Sequence, residues 1–271
     1  YDPKVTGLSY TVNYVEKGTN NIIKPAKTVG EQKYGNVITV ADEVIAIDGY
    51  NYASADKEKV VIGTNENIVN IYYTKRNDLS YTVNYLERDT GKVLQNAKVQ
   101  NGKTLGDTIH AQDEVIDIDG YTFDSIDKGT LTIETGSNTI NIYYVKRNDL
   151  SYTVNYLESG TGKVLHEAKV QSGMIFRELI SSITERIEID GYNFEGFDKE
   201  TLTISTGTNV INIYYTKRTD LSYKVNYLEK GTNKTIKNQK VQTGMSFETT
   251  VYALNERLTI DGYNYDSADK D

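Results

Sequence analysis

The chain has 271 residues and a formal net charge of -8, from 38 Asp and Glu against 30 Lys and Arg. This balance lacks the basic surface that nucleic acids require, and the absence of cysteine excludes disulfides and thiolate metal sites. No apolar run approaches the roughly 20 residues that cross a bilayer. We therefore expect no nucleic-acid partner and no membrane contact within this segment.

A repeat of 71 residues organises the chain, because Leu8, Leu79, Leu150 and Leu221 each begin a near-copy of one segment. Equal spacing indicates one folded unit duplicated in tandem rather than a single large domain. The predicted repeats span residues 8–78, 79–149, 150–220 and 221–271, the last being incomplete. Residues 1–7 are predicted to be the end of a preceding repeat or a linker.

The start of each repeat predicts a β-hairpin. In the second repeat, residues 81–85 alternate apolar and polar side chains as a half-buried strand does. Residues 89–91, Asp-Thr-Gly, favour a turn, and residues 93–99 then predict the returning strand. We expect Val93, Ala97 and Val99 to share its core face.

The middle of the repeat predicts a short helix. Residues 104–114 lack alternation, and the third repeat has Phe176, Ile180 and Ile183 at spacings of four and three. This spacing is typical of one face of an α-helix, here expected to cross the sheet.

The end of the repeat predicts further strands. Asp119 and Gly120 mark a tight turn before Tyr121, and residues 130–133 and 139–144 flank a Thr-Gly-Ser-Asn sequence that is typical of a hairpin. Connectors of only a few polar residues join successive repeats, which limits bending. We therefore predict an α+β tandem array that forms an elongated, monomeric rod.

Four sequence elements, in constant order, resemble the MucBP (mucin-binding protein) repeat of Gram-positive surface adhesins. In the second repeat they are residues 81–85 (YTVNY), residues 91–92 (GK), residues 118–121 (IDGY) and residues 140–144 (INIYY). The resemblance implies a ubiquitin-like β-grasp repeat and extracellular, cell-wall-associated display on a Gram-positive bacterium. It further implies attachment to mucin or other host glycoproteins or glycans, without catalysis. The chain departs from the common pattern in its longer segment before IDGY and its many tyrosines.

Catalytic, cofactor and metal sites are not predicted. The only histidines, His110 and His166, occupy different positions in their repeats, which does not favour a repeated catalytic role. A calcium site using Asp127 or Asp149 remains open, as does a Lys–Asn isopeptide bond between Lys98 and Asn84. Against the isopeptide bond, both side chains are expected to point outward, where nothing would desolvate them.

A polar, aromatic face is the predicted ligand site. Alternation places Asn141 and Tyr143 opposite Ile140 and Ile142, and Asn84 is expected beside them. Tyrosine offers a ring face and a hydroxyl to sugars, and asparagine offers donors and acceptors. The predicted ligand-binding residues are Tyr72, Tyr143, Tyr214, Asn70, Asn141, Asn212, Asn13, Asn84, Asn155 and Asn226.

The sequence supports two functions of different classes. The repeats bind mucin or host glycans weakly and multivalently, or they are a stalk that projects a distal domain and binds nothing itself. A second alternative is an accessory carbohydrate-binding region of a secreted hydrolase. Exposed Tyr and Asn on the outward face favour binding, whereas the same residues within interfaces between repeats favour a stalk.

Overall fold

The computed structural model describes residues 6–270. The chain divides into two compact units, residues 1–145 and 146–271, and each is considered by itself. The first contains repeat 1 and residues 79–145 of repeat 2, and the second contains repeats 3 and 4. Residues 1–5 of the predicted leading segment 1–7 lie outside the described residues.

Each of the first three repeats contains the same six strands. They are β1 (Leu8–Glu16), β2 (Ile22–Gln32), β3 (Val37–Thr39), β4 (Tyr50–Ala55), β5 (Lys59–Val61) and β6 (Ile68–Lys75) in repeat 1. Repeat 2 has β7 (Leu79–Glu87), β8 (Val93–Lys103), β9 (Thr108–His110), β10 (Tyr121–Ile126), β11 (Thr130–Thr132) and β12 (Thr139–Lys146). Repeat 3 has β13 (Leu150–Glu158), β14 (Val164–Met174), β15 (Leu179–Ser181), β16 (Tyr192–Phe197), β17 (Thr201–Thr203) and β18 (Val210–Lys217). Repeat 4 has β19 (Leu221–Leu228) and β20 (Thr235–Met245).

A four-stranded mixed sheet forms the body of each complete repeat. In repeat 2 the strand order is β8-β7-β12-β10, and the central strands β7 and β12 are parallel. Parallel neighbours need a long crossover, and the residues between β8 and β12 supply it. Part of this crossover is a small antiparallel sheet of β9 and β11.

The hydrophobic core lies between the large sheet and the crossover. In repeat 2 the central strands contribute Val83, Ile140 and Ile142, and the crossover contributes Ala111 and Ile133, all of them fully buried. The central strands alternate apolar and polar residues because the crossover covers one of their two faces.

The predicted α-helix is wrong. Residues 104–114 instead form a turn, strand β9 and a four-residue 3-10 helix, Ala111–Glu114, which has counterparts at Val40–Glu43, Ser182–Glu185 and Ala253–Glu256. The three apolar residues that suggested a helix face lie in different surroundings: Phe176 is buried, Ile180 pairs with Leu202 within a strand, and Ile183 is exposed. The described residues are therefore mostly β-strand, with helical structure limited to 3-10 turns.

The predicted closing hairpin is also wrong. Strand β11 pairs with β9, whereas β12 pairs with β7 in the centre of the large sheet. The loop between them is held by Asn138, whose Nδ2 donates to the carbonyl oxygens of Glu134 (2.8 Å) and Ser80 (3.0 Å). The buried side-chain amide of Asn138 thus fixes this loop to β7, and the loop does not form a hairpin turn.

The first hairpin is confirmed, but its predicted core face is not. Strands β7 and β8 are antiparallel, with Val83 opposite Lys98 and Thr82 opposite Val99. Val93 and Val99 are 61% and 56% exposed, and Ala97 is also exposed. Because Val83 points to the core and lies opposite Lys98, the register puts Lys98, rather than Val99, on the core side.

Candidate functional site

The predicted ligand residues lie on the sheet face opposite the core. In repeat 2 the parallel register places Asn84 beside Asn141 and Leu86 beside Tyr143. All four side chains are half-buried, whereas Val83, Tyr85 and Tyr144, which point to the other side, are buried. Strand alternation therefore brings together the asparagines and the tyrosine as predicted.

The asparagines form a ladder that the sequence reasoning did not anticipate. Asn84 Nδ2 donates to Asn141 Oδ1 (2.9 Å), and Asn141 donates its Nδ2 and its backbone N–H to the two carboxylate oxygens of Asp127 (both 3.0 Å). We call these three residues the asparagine ladder. The same ladder occurs as Asn13, Asn70 and Asp56 in repeat 1 and as Asn155, Asn212 and Asp198 in repeat 3.

The ladder limits what the asparagines can offer a ligand. The Oδ1 of Asn141 already accepts a hydrogen bond, and one of its amide hydrogens is given to Asp127. Asn84 uses one donor and keeps its Oδ1 free of hydrogen bonds among the described residues. The amide groups of the ladder residues are therefore used mainly in hydrogen bonds that hold the sheet together.

Asp127 was missed as part of this face. Its recurrence as Asp56 and Asp198, at a constant distance before the closing strand, is the signal that could have identified it. Asp127 and Asp149, the two calcium candidates, are engaged with Asn141 and Arg147. Among residues 6–270, no group of three or more His, Asp or Glu is arranged to hold a metal ion.

The three tyrosines that are predicted to bind a ligand are placed alike. Tyr72, Tyr143 and Tyr214 are half-buried, and each precedes a buried tyrosine that is fixed from the core side. In repeat 2 this buried neighbour is Tyr144, whose hydroxyl donates to the Ile116 carbonyl oxygen (2.9 Å). The buried tyrosine thus fixes the position of the strand segment that carries each predicted ligand tyrosine.

Asn226 in the fourth repeat lies in different surroundings. It is exposed, and its Oδ1 accepts a hydrogen bond from Gln239 Nε2 (2.5 Å). Within the described residues no closing strand brings a second asparagine beside it. Among the described residues, the predicted face is therefore assembled in repeats 1 to 3.

A buried charge cluster lies on the opposite, covered face. Glu114 accepts hydrogen bonds from the Tyr81 hydroxyl (2.8 Å) and from Lys98 Nζ (2.6 Å). Burial raises the pKa of Glu114, but the hydrogen bonds from Lys98 and Tyr81 outweigh it, so that the pKa lies below its ordinary value. Burial and the hydrogen bond to Glu114 raise the pKa of Tyr81 to about 12.

This cluster also bears on the isopeptide bond. The prediction that Lys98 points outward is wrong, because its amine reaches Glu114 on the core side, whereas Asn84 bonds to Asn141 on the other face. The structure does not bring Lys98 and Asn84 together. Lys98 instead fastens the 3-10 helix to the edge strand, as do Lys27, Lys169 and Lys240 in the other repeats.

Within each compact unit, an apolar side chain of the later repeat packs directly against a glycine of the earlier one. A Cβ on Gly49 would lie 2.6 Å from a methyl carbon of Leu105, and one on Gly191 would lie 2.4 Å from the ring of Phe247. The backbone of Arg76 links the first pair, because its N–H donates to the Gly49 carbonyl (2.9 Å) and its carbonyl accepts from the Leu105 N–H (2.9 Å). These joints contain none of the predicted ligand residues.

Polar contacts reinforce the joints. Thr135 donates to Asp48 (2.6 Å) across the joint between repeats 1 and 2, and Lys217 pairs with Glu248 (2.9 Å) across the joint between repeats 3 and 4.

The two histidines, His110 and His166, are exposed. No helix among residues 6–270 has the length and apolar character needed to cross a membrane.

These features define an array of small strand-rich repeats that carry one polar face in several copies. The family model described as the MucBP domain matches residues 10–74, 81–145 and 152–216. The matched segments make up more than two thirds of the chain, which therefore belongs to the MucBP domain family.

Two solved structures also resemble the chain. One is described as streptococcal high identity repeats in tandem (SHIRT) domains 3-4 from a cell surface protein; it is 15% identical, covers 52% of this chain and 98% of its own, and has a TM-score of 0.24. The other, Mub-RV, is 12% identical, covers 78% of this chain and 99% of its own, and has a TM-score of 0.21. A search of curated proteins gave no match.

Proposed function

We propose that the chain is the repeat region of a Gram-positive cell-surface adhesin and that it binds mucin or other host glycans weakly, many sites at a time. The observation that carries this proposal is the presentation of the same asparagine ladder and neighbouring tyrosine in three successive repeats of a MucBP-family chain. The proposal includes an extracellular, cell-wall-associated location and no catalytic role.

We also propose that the chain is divided into repeats at residues 8–78, 79–149, 150–220 and 221–271, and that each complete repeat is a variant of the β-grasp fold. The mixed sheet with a parallel central pair, flanked by antiparallel neighbours, supports this assignment. The 3-10 helix and small sheet lie where a β-grasp repeat carries its helix.

The chemistry of the face suits a weak sugar contact. Half-buried Tyr143 offers a ring edge and a hydroxyl, Asn84 offers a free carbonyl oxygen, and exposed Val93 and Val99 extend the apolar surface along β8. Since the ladder already uses most amide groups of Asn141, each repeat can make only a few hydrogen bonds to a sugar. Linked weak sites gain roughly 10²–10⁴ in overall affinity when several engage at once.

The experiment compares binding to immobilised mucin before and after deglycosylation. Replacing Tyr72, Tyr143 and Tyr214 together by Ala is expected to weaken binding by at least about tenfold, because avidity multiplies the loss at each site. The matched control replaces Tyr34 and Tyr252, which are exposed but lie outside the ladder face. Equal binding to deglycosylated mucin, or equal losses in both variants, would contradict the proposal.

A purely structural stalk is the second candidate, and the joints favour it. Leu105 on Gly49 and Phe247 on Gly191 restrict bending within each unit whether or not a glycan is bound. If wild-type chain fails to bind glycosylated mucin at high concentration, the spacer role remains.

A further inference from the structure

An aromatic side chain recurs at one position of the edge strand in the three complete repeats. In repeat 2 it is Phe123 of β10, whose ring packs on the ring of Tyr144 with the centroids 6.3 Å apart and the planes at 83°. The same pair recurs as Tyr52 with Tyr73 (6.1 Å, 79°) and as Phe194 with Tyr215 (6.1 Å, 78°). A buried tyrosine therefore holds this ring in one edge-to-face orientation in each of these repeats.

In repeat 3 a cation of the chain itself lies over this ring. The guanidinium carbon of Arg186 is 4.8 Å from the centroid of the Phe194 ring, and its Nη2 donates to Glu188 Oε1 (2.6 Å). The face of an aromatic ring attracts a cation, and a carboxylate beside the ring accepts the N–H groups of the same cation. Repeat 3 thus fills a site of one ring and one acid with its own arginine.

Repeat 2 has the ring and the acid but not the arginine. Asp117 is the counterpart of Glu188, and Val115 is the counterpart of Arg186. Within residues 6–270 no cation lies over the ring of Phe123, and Asp117 has no hydrogen bond or ion pair. Repeat 2 therefore lacks the group that fills the same site in repeat 3.

Asp117 and Phe123 both lie beside Tyr144. The hydroxyl of Tyr144 donates to the carbonyl oxygen of Ile116 (2.9 Å), the residue before Asp117. Burial raises the pKa of Tyr144, and the nearby charge of Asp117 also raises it. Phe123 is 38% exposed and Asp117 is exposed, so that one ligand can reach both the ring and the carboxylate.

The surrounding segment is acidic. Residues 111–120 contain four acidic side chains and no basic one. Lys98 compensates the charge of Glu114, whereas Asp113 and Asp117 are exposed and have no ion pair within residues 6–270. In repeat 1 the counterpart of Asp117 is Ala46, so that the ring of Tyr52 has no acid at this position. The full ring-and-acid site is open in repeat 2.

We propose that Phe123 and Asp117 form a binding site for the guanidinium group of an arginine in a basic segment of a partner polypeptide. The ring accepts the face of the guanidinium group, Asp117 accepts its N–H groups, and the acidic segment attracts the flanking positive charges. The site is separate from the asparagine ladder, because Phe123 packs on Tyr144 on the core side of the sheet. It therefore does not depend on the proposed binding of glycans.

The test titrates the full chain with the blocked peptide acetyl-Lys-Arg-Lys-amide and follows the ring signals of Phe123 by NMR. Saturable shifts are expected, with a dissociation constant on the order of 10 mM, because one exposed ring and one exposed ion pair provide little affinity. The ring signals of Tyr52 should move much less, since repeat 1 lacks the acid. Asp117→Asn should weaken binding about two- to fivefold.

A matched peptide separates charge from shape. Citrulline in place of arginine keeps the length and planarity of the side chain but removes its charge. This peptide should bind about four- to twentyfold more weakly, because both the ring contact and the ion pair are lost.

Two variants exchange the properties of repeats 2 and 3. Val115→Arg should abolish the response of Phe123 by filling the site from within the chain, whereas the neutral Val115→Gln should preserve it. The backbone accepts arginine at this position, as Arg186 shows. Conversely, Arg186→Gln should open a second site, with new saturable shifts at Phe194.

Three results would overturn the proposal. The first is the absence of saturable shifts at Phe123 up to about 50 mM peptide. The second is an equal response to the citrulline peptide. The third is equal shifts at Phe123 and Tyr52, which would mean that the peptide associates with any exposed ring.

Discussion

Ser182 should destabilise the third repeat, and its replacement by Ala should therefore stabilise the protein. Its side chain is fully buried at the start of the 3-10 helix, and its hydroxyl has no hydrogen-bond partner within residues 6–270. The equivalent residue of repeat 2 is Ala111, which is equally buried, and that of repeat 1 is Val40. The pocket therefore suits an apolar side chain, and the hydroxyl loses its hydration without compensation.

The magnitude follows from the cost of an unsatisfied buried polar group, about 1–3 kcal/mol. We expect Ser182→Ala to raise the free energy of unfolding of repeat 3 by this amount. For a domain of the size of one repeat, each 1 kcal/mol corresponds to a rise of roughly 4–8 °C in the unfolding midpoint. Little opposing cost is expected, because Ala111 shows that the backbone accepts alanine at this position.

Native-state hydrogen exchange is the appropriate assay, since it reports on each repeat separately. Core amides of β13 and β18 should exchange more slowly in Ser182→Ala, and those of β7 and β12 should be unchanged. The matched variant Ala111→Ser should have the opposite effect in repeat 2. If Ser182→Ala leaves exchange in repeat 3 unchanged or accelerates it, the hydroxyl is satisfied and the reasoning is refuted.

Three further predictions concern the joint and the charge cluster. Gly191→Ala should expose the Phe247 amide to exchange, whereas Gly262→Ala should not, because both glycines have a positive φ but only Gly191 lies under a ring. Unfolding experiments should show stability falling as pH rises from 10 to about 12, since the raised pKa of Tyr81 makes the folded state retain its proton; Tyr81→Phe should reduce this slope. Because the pKa of Glu114 is lowered, stability should also fall as pH drops below 4.5, and Glu114→Gln should reduce that dependence while costing about 1–3 kcal/mol at pH 7, measured by urea unfolding.

The sequence was informative wherever its signal was periodic. The repeat length, the first hairpin and the outward face carrying Asn141 and Tyr143 all follow from constant spacing or alternation, which depend on backbone geometry alone. The pairing of β12 was not predictable in this way. An alternating strand that follows a short one looks like half of a hairpin, and only the burial of its apolar face shows that it lies at the sheet centre.

The contacts missed from the sequence are those between residues far apart in the chain. Lys98 reaches Glu114 because it lies opposite the core residue Val83, and the alternation of β8 alone does not show which of its two faces is turned to the core. Gly49 and Leu105 belong to different repeats, so that neither residue suggests the other. The Asp-Gly pair predicts a turn, and the same turn also provides the surface on which a side chain of the next repeat packs.

Under the proposed binding function, the joint and the ladder together make binding depend on the spacing of the repeats. The asparagine ladder spends most of its amide groups within the repeat, so a single face can contribute only weak affinity. Weak sites become effective only if several engage one ligand, and this requires a separation that does not vary freely. In the first unit, which carries two complete faces, Leu105 on Gly49 fixes that separation. A variant that loosens a joint without touching the ladder should therefore weaken multivalent binding while leaving the affinity of each face unchanged.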